Sequence, residues 1–314
     1  MTPLDDETAP APARLGVWGL GAMGAPMAHH LLAAHGSLTV HARRPRPALV
    51  EAGAQWAETA RDLAAHTDAV LVMLPDLPQL EEHLDGPDGL LAGIGDREFL
   101  LLIGSTSSPV GVRELAERLP DGIRVVDCPV SGGEDGARAG TLSIMLGGSP
   151  ADTDRVAALL APCGTPVRLG PLGAGQVAKA CNQLVVASTI LALGEATELA
   201  ARSGVDPATL WDLLGGGYAG SRLLESRRER LVTGDDSPSG IAEYMVKDLR
   251  FAADIAASTD TRPALLPALR AAFDEIVERG LGGRDIAVTR RFTAERSDTP
   301  AHTDRPRRVH ARRG

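Results

Sequence analysis

Lys179 and Asn182 pair a cation with an amide at a spacing that suggests chemistry. They stand three apart near the start of residues 173–203, a stretch without proline that Gly204 closes. That pattern predicts one long helix with both polar groups on a shared face. Over residues 184–193 every face is apolar or small, which predicts a helix buried all round. A lysine at the head of such a helix is costly unless something compensates its charge. A protonated lysine can give its proton to a developing alkoxide. Partial burial lowers its pKa toward the working pH and suits the reverse, proton-accepting direction. Asn182 can bond a substrate or orient the lysine. The plainer reading of Lys179 is a structural residue whose ammonium snorkels to water from the helix start.

Three other constellations bear on the same question. An apolar strand over 14–18 runs into Gly19-Leu20-Gly21-Ala22-Met23-Gly24, and a helical run over 25–34 follows. Strand, GxGxxG and helix in that order make a dinucleotide-binding turn, with free N–H groups at the helix start facing the phosphates. The next strand, 37–41, ends at Arg43 and Arg44, and no acid occurs between Gly24 and Glu51. An acid there would bond the ribose hydroxyls of NAD, whereas two guanidiniums suit a 2′-phosphate. NADP(H) is therefore expected over NAD(H), the alternative being a solvated turn. Residues 128–136 read as a loop after a strand, where Ser131-Gly132-Gly133 either form an anion nest or make a plain turn.

The elements that must position these groups alternate. Continuous apolar runs over 68–75 and 99–103, with 124–127, read as buried parallel strands. Helical stretches at 79–84 and 109–119 lie between them, as in a doubly wound sheet. Ligands of such sheets sit at the carboxyl ends of the strands, which places Leu74, Pro75, Ser105 and Thr106 along the cofactor cleft. Strands at 141–146 and 166–169 flank a helix at 151–160, and from residue 173 everything reads helical, to 214 and then at 221–232, 241–258, 262–279 and 284–292. The expected fold class is α/β: an N-terminal Rossmann-type doubly wound parallel sheet, then an all-α C-terminal domain joined by a long helix. The expected boundaries are a disordered lead over 1–13, a cofactor-binding domain over 14–172, a helical substrate and oligomerisation domain over 173–293, and a disordered basic tail over 294–314.

Composition narrows the partners. A net charge of −9 over 314 residues argues against nucleic-acid binding. Cys128, Cys163 and Cys181 make no metal spacing and no CxxC, so no metal site is expected and a cytoplasmic, reducing setting is. Cys181 reads as a small core residue, and His29, His30 and His41 as surface or turn residues. No membrane segment is expected, because the 184–193 run is short and polar residues flank it.

Five motifs in order resemble the β-hydroxyacid dehydrogenase family, which includes 3-hydroxyisobutyrate dehydrogenases and tartronate semialdehyde (2-hydroxy-3-oxopropionate) reductases. They are the segment from Gly19 to Met27, Met73-Leu74-Pro75, Asp127 to Gly133 leading to Met145, Gly173 to Asn182, and Lys247-Asp248-Leu249. The resemblance implies a Rossmann domain, a helical domain like that of 6-phosphogluconate dehydrogenases, and an active site in the cleft. It implies Lys179 as catalytic acid/base assisted by Asn182, with Ser131, Gly132 and Gly133 on the substrate carboxylate. Thr106 would border cofactor and substrate, and Lys247 would reach the cofactor side from the second domain. The implied reaction interconverts a small carboxylate-bearing 3-hydroxyacid and its semialdehyde, in a homodimer or homotetramer. Reduction of another carbonyl or an imine, or a non-catalytic NADPH-binding scaffold, are the alternatives. Departures fall mainly on the substrate side: residues 235–240 lack the family's phenylalanines, and Arg284-Asp285-Ile286-Ala287 lacks its serine.

Overall fold

The computed structural model of the chain describes residues 14–298. The lead expected over 1–13 and the tail beyond 298 lie outside the described residues. The described residues form two compact units. The first runs through Val185 and takes in Tyr244–Arg270; the second comprises Val186–Glu243 and the residues from Ala271 onward. The division between these compact units falls inside the long helix.

The first unit is built on nine strands: β1 (Leu15–Trp18), β2 (Thr39–His41), β3 (Gln55–Trp56), β4 (Ala69–Val72), β5 (Phe99–Ile103), β6 (Ile123–Asp127), β7 (Val130–Ser131), β8 (Leu142–Gly147) and β9 (Gly164–Gly170). Their order is β3-β2-β1-β4-β5-β6-β8-β7, with β9 also paired to β8. β1 to β6 pair in parallel, and β8 runs antiparallel to β6 and β7. Trp18 is level with His41 on one side and Val72 on the other, and Ile103 with Asp127, so the loops that follow open on one edge. β4 and β5 are buried at every residue, because helices cover both faces of the sheet and leave no side for water. One core lies around Val17, Leu31, Val40 and Leu71, the other around Leu63, Val70, Leu101 and Val112.

The covering helices are α1 (Gly24–His35), α2 (Pro47–Glu51), α3 (Ala60–Ala65), α4 (Leu77–Glu81), α5 (Leu90–Ile94), α6 (Pro109–Arg118), α7 (Gly133–Ala139) and α8 (Pro150–Leu160). Thr59, Asp76, Ser108 and Ser149 accept backbone N–H bonds at the starts of α3, α4, α6 and α8. The pattern did not predict α2, α3, α5, β3 or β7, which are too short to show a period. The loop expected over 128–136 also turns helical, α7 starting at Gly133.

α9 (Ala174–Arg202) begins in the first unit and continues into the second. There α10 (Pro207–Gly215) and α11 (Arg222–Thr233) follow, before α12 (Glu243–Ser258) returns to the first unit from Tyr244. The second unit resumes within α13 (Leu266–Glu278) and ends on a 3₁₀ turn, Ile286–Val288, and α14 (Thr289–Asp298). Residues 294–298 are thus helical and not part of a tail. In the second unit the buried Trp211 donates its indole N–H to Thr197 Oγ1 (3.0 Å), which ties α10 to α9. Thr289 Oγ1 donates to Ile190 O at 3.0 Å and lies against Gly194. A Cβ at Gly194 would stand 2.5 Å from Thr289 Oγ1 and 2.7 Å from its carbonyl carbon. Gly194→Ala is therefore expected to cost roughly 1–3 kcal/mol despite its better helix propensity. Thermal denaturation checks this: a Tm lower by several degrees is expected, and an unchanged or higher Tm counts against the packing argument.

α9 is not buried all round. Gln183, Ala187, Ile190, Leu193 and Thr197 face inward, while Val185 is 64% and Leu199 69% exposed. An all-apolar surface says that every face tolerates burial, not that the chain supplies a cover for each. Cys181 is exposed for the same geometric reason, lying two residues, and so just over half a turn of the helix, from the inward Lys179. By length and composition alone the 29-residue α9 reaches what a bilayer crossing needs, more than the 184–193 run suggested; its inward face packs against protein.

Candidate functional site

The site begins with how α9 starts. Asp127, at the carboxyl end of β6, is fully buried. Its Oδ1 accepts from the Gly173 N–H and its Oδ2 from the Gln176 N–H, each at 2.7 Å. The first N–H groups of a helix lack internal partners and form its positive end, so a carboxylate there anchors the first turn. Burial pushes the Asp127 carboxyl up to about 6, against the pull of those N–H groups.

One turn on, Lys179 is only 8% exposed, so its ammonium does not snorkel to water. Nζ donates to Gln183 Oε1 at 3.0 Å, the i+4 neighbour on the same face. Gln183 Oε1 also accepts from Asn182 Nδ2 (2.9 Å), and Gln183 Nε2 donates to Asp248 Oδ2 (2.6 Å). Two donors on the oxygen and a carboxylate on the nitrogen orient the amide. Asn182 Oδ1 accepts from Ser131 Oγ at 3.2 Å, which brings Lys179, Asn182 and Ser131 into one network. Gly132 (φ 138°) and Gly133 (φ 65°) follow in conformations that favour glycine and lead into α7.

Lys247 on α12 forms the other arm. Its Nζ donates to Pro75 O and Thr106 O, each at 2.8 Å, and so ties the loops after β4 and β5. It lies 3.9 Å from Asp248 Oδ1. This helix segment belongs to the first unit with the sheet, so Lys247 does not arrive from the second. Burial pushes the Lys179 pKa below the ordinary lysine range; Asp248 pulls it back up and Lys247 lowers it further. Burial likewise lowers Lys247. Asp248 is pushed up by its own burial and held down by Lys247, Lys179 and the Gln183 bond.

Along the same sheet edge, the three glycines of the turn differ in what limits them. Gly19 has φ 101°, and a Cβ there would stand 2.5 Å from Met73 O and 3.3 Å from Leu74 N. A Cβ on Gly24 would collide with Gly19 O. At Gly21 it would meet nothing within 4 Å, and Gly21 and Ala22 are exposed, whereas Leu20 is buried and Met23 half-buried. Tight turn, open face and close packing are what a bound pyrophosphate needs, so the turn fits a dinucleotide. Arg46 Nε holds Leu20 O at 3.0 Å, while Arg43 and Arg44 are exposed and make no hydrogen bond or ion pair among the described residues. Among the described residues no hydrogen bond directly joins the turn or these arginines to the Lys179 network; they share its edge of the sheet. Sequence reasoning missed the roles of Asp127, Gln176, Gln183 and Asp248. Signals were present: Gln176 and Gln183 lie at i−3 and i+4 from Lys179, and Asp127 and Asp248 fall inside the motifs of the resemblance, but no spacing showed what they bond.

Residues 14–182 match a family model described as the NAD binding domain of 6-phosphogluconate dehydrogenase, and residues 173–292 one described as NAD-binding of NADP-dependent 3-hydroxyisobutyrate dehydrogenase. The chain belongs to the β-hydroxyacid dehydrogenase family. It is 39% identical over 243 residues to the 2-hydroxy-3-oxopropionate reductase of Escherichia coli K12, covering 76% of this chain and 82% of that one. It is 39% identical over 209 residues to a 3-hydroxyisobutyrate dehydrogenase of Pseudomonas aeruginosa, covering 64% and 70%. The solved 3-hydroxyisobutyrate dehydrogenase of Salmonella typhimurium is similar at a TM-score of 0.81 and 28% identity, over 88% of this chain and 99% of that one. As a β-hydroxyacid dehydrogenase family member the chain is an NAD(P)-dependent oxidoreductase, with the expected Rossmann-type domain and helical C-terminal domain.

Proposed function

We propose that this protein interconverts a small 3-hydroxyacid and its semialdehyde, with NADP(H) preferred over NAD(H) and Lys179 as the acid/base. The observation that carries the reading is the buried Lys179, its Nζ fixed by Gln183 beside the Ser131–Asn182 pair. The nicotinamide, when bound, supplies or takes up the hydride. In reduction Lys179 passes one ammonium proton to the carbonyl oxygen and is left neutral; in oxidation the neutral amine takes the hydroxyl proton. Asn182 and Ser131 orient the reacting group, Gly132 and Gly133 with Ser131 hold the substrate carboxylate, and Thr106 borders both ligands. The segment from Gly19 to Gly24, with Leu20, Gly21, Ala22 and Met23, holds the cofactor together with Leu74, Pro75 and Lys247. The exposed guanidiniums of Arg43 and Arg44, unpaired among the described residues, support the 2′-phosphate preference. Assembly as a homodimer or homotetramer is part of the reading, supported by the uncovered Val185 and Leu199 on α9.

One panel tests it. NADPH oxidation is measured with tartronate semialdehyde, methylmalonate semialdehyde, succinic semialdehyde, glyoxylate and a cyclic imine, with NADH in parallel. Turnover of an aldehyde acid with a lower KM for NADPH than for NADH is expected, and Arg43→Ala/Arg44→Ala is expected to raise only the NADPH value. A clear NADH preference sinks the cofactor assignment. Turnover of the imine alone, or tight NADPH binding without oxidation of any compound, sinks the reaction.

A further inference from the structure

Gln176 stands three residues before Lys179 on α9 and is 1% exposed. Its backbone N–H donates to Asp127 Oδ2 at 2.7 Å. Its side chain reaches across to the loop after β5, where Nε2 donates to Ser105 O at 2.8 Å and Oε1 accepts from the Ser107 N–H at 2.9 Å. One planar amide thus takes an acceptor and a donor from either side of Thr106, as a neighbouring strand would. The Thr106 carbonyl itself is held by Lys247 Nζ. The rest of the loop is tied to the sheet, Ser105 N–H donating to Val72 O at 3.2 Å. Gln176 joins this loop to the turn of α9 that carries Lys179.

The side chain that does this is narrowly defined. Asparagine is one methylene shorter. Leucine offers neither bond. An ionised glutamate keeps the acceptor for Ser107 but turns a second acceptor toward Ser105 O. A protonated glutamate restores both bonds, and burial favours that form.

The geometry points to Gln176 as a positioning residue that sets where Thr106 stands relative to the Lys179 ammonium. Its consequence for turnover rests on the reading of Lys179 as the acid/base. Displacing a reacting group by about 1 Å can cost on the order of 10²-fold in rate without touching the chemistry itself.

Gln176→Leu and Gln176→Glu in the full chain test this. Gln176→Leu is expected to lower kcat by about 10–100-fold at every pH, with the Kd for NADPH within about twofold of wild type. Gln176→Glu is expected to be as poor near pH 8 and to regain activity relative to wild type as the pH falls and the glutamate takes a proton. Amide hydrogen exchange gives a readout apart from activity: Ser107 exchanges faster in Gln176→Leu, while the amides at the start of α9, anchored by Asp127, keep their protection. Values of kcat for both variants within about twofold of wild type overturn the proposal. So does unchanged exchange at Ser107, or loss of protection throughout α9 with a matching fall in Tm, which would make Gln176 a matter of stability alone. If the wild-type protein reduces no aldehyde acid, the functional reading fails separately, and exchange at Ser107 still decides whether Gln176 holds the loop.

Discussion

Lys179→Ala is expected to lower kcat by at least about 10²–10⁴-fold in both directions while NADPH still binds with near wild-type affinity. The size follows from losing a positioned proton donor. The selectivity follows from placement, since Lys179 bonds to Gln183 and not to the turn at Gly19–Gly24. The variant should fold. Asn182 Nδ2 still satisfies Gln183 Oε1, and removing a buried ammonium removes a desolvation cost, so Tm should hold or rise. Lys179→Arg separates charge from proton transfer. Arginine stays cationic but does not give up its proton near neutral pH, so it too should be inactive. Fluorescence titration with NADPH and steady-state kinetics on the three proteins decide the matter. A kcat for Lys179→Ala close to wild type rules out the acid/base role, and activity in Lys179→Arg alone reduces that role to electrostatics.

The cofactor half of the fold was legible because its signals are local. β1, β4 and β5 are continuous apolar runs, and the turn from Gly19 to Gly24 lies between a strand and a helix as its spacing requires. The network around Lys179 was legible only in part, because its bonds join residues far apart in the chain. Gln183 and Asp248 are 65 positions apart, Ser131 and Asn182 are 51, and Gln176 and Ser105 are 71. No period or spacing encodes such pairs. α9 shows the other limit. Its composition licenses burial on every side, yet what covers a face is a property of the rest of the molecule, and Val185, Leu199 and Cys181 are left outside. Lys247 shows a third. Chain order put it with the later helices, while its contacts with Pro75 and Thr106 place it in the compact unit of the sheet.

Asp248→Asn is expected to move the pH dependence of the reaction, and in a stated direction. The carboxylate is 5% exposed, with Oδ2 on Gln183 Nε2 and Oδ1 buried without a hydrogen bond among the described residues, 3.9 Å from Lys247 Nζ. Its charge is the favourable influence on the Lys179 ammonium, opposing burial and the repulsion of Lys247. Asparagine keeps the shape and can still accept from Gln183, but it removes that charge. Lys179 already releases its proton below the ordinary lysine pKa of about 10.4, and without Asp248 it should do so at lower pH still. Reduction needs the protonated form, so its basic limb should shift to lower pH, and rates measured on that limb should fall by about tenfold for each pH unit of displacement. Oxidation needs the neutral amine, so its rising acid limb should shift the same way. Both limbs report one group and should therefore move together, with the reduction rate well below the limb changed least. Profiles of kcat in the two directions, with the cofactor saturating, provide the check. Limbs that stay in place while kcat falls at all pH values would assign Asp248 to substrate or to folding instead. Limbs that move upward would mean that the charge balance around Lys179 is set by groups other than this carboxylate.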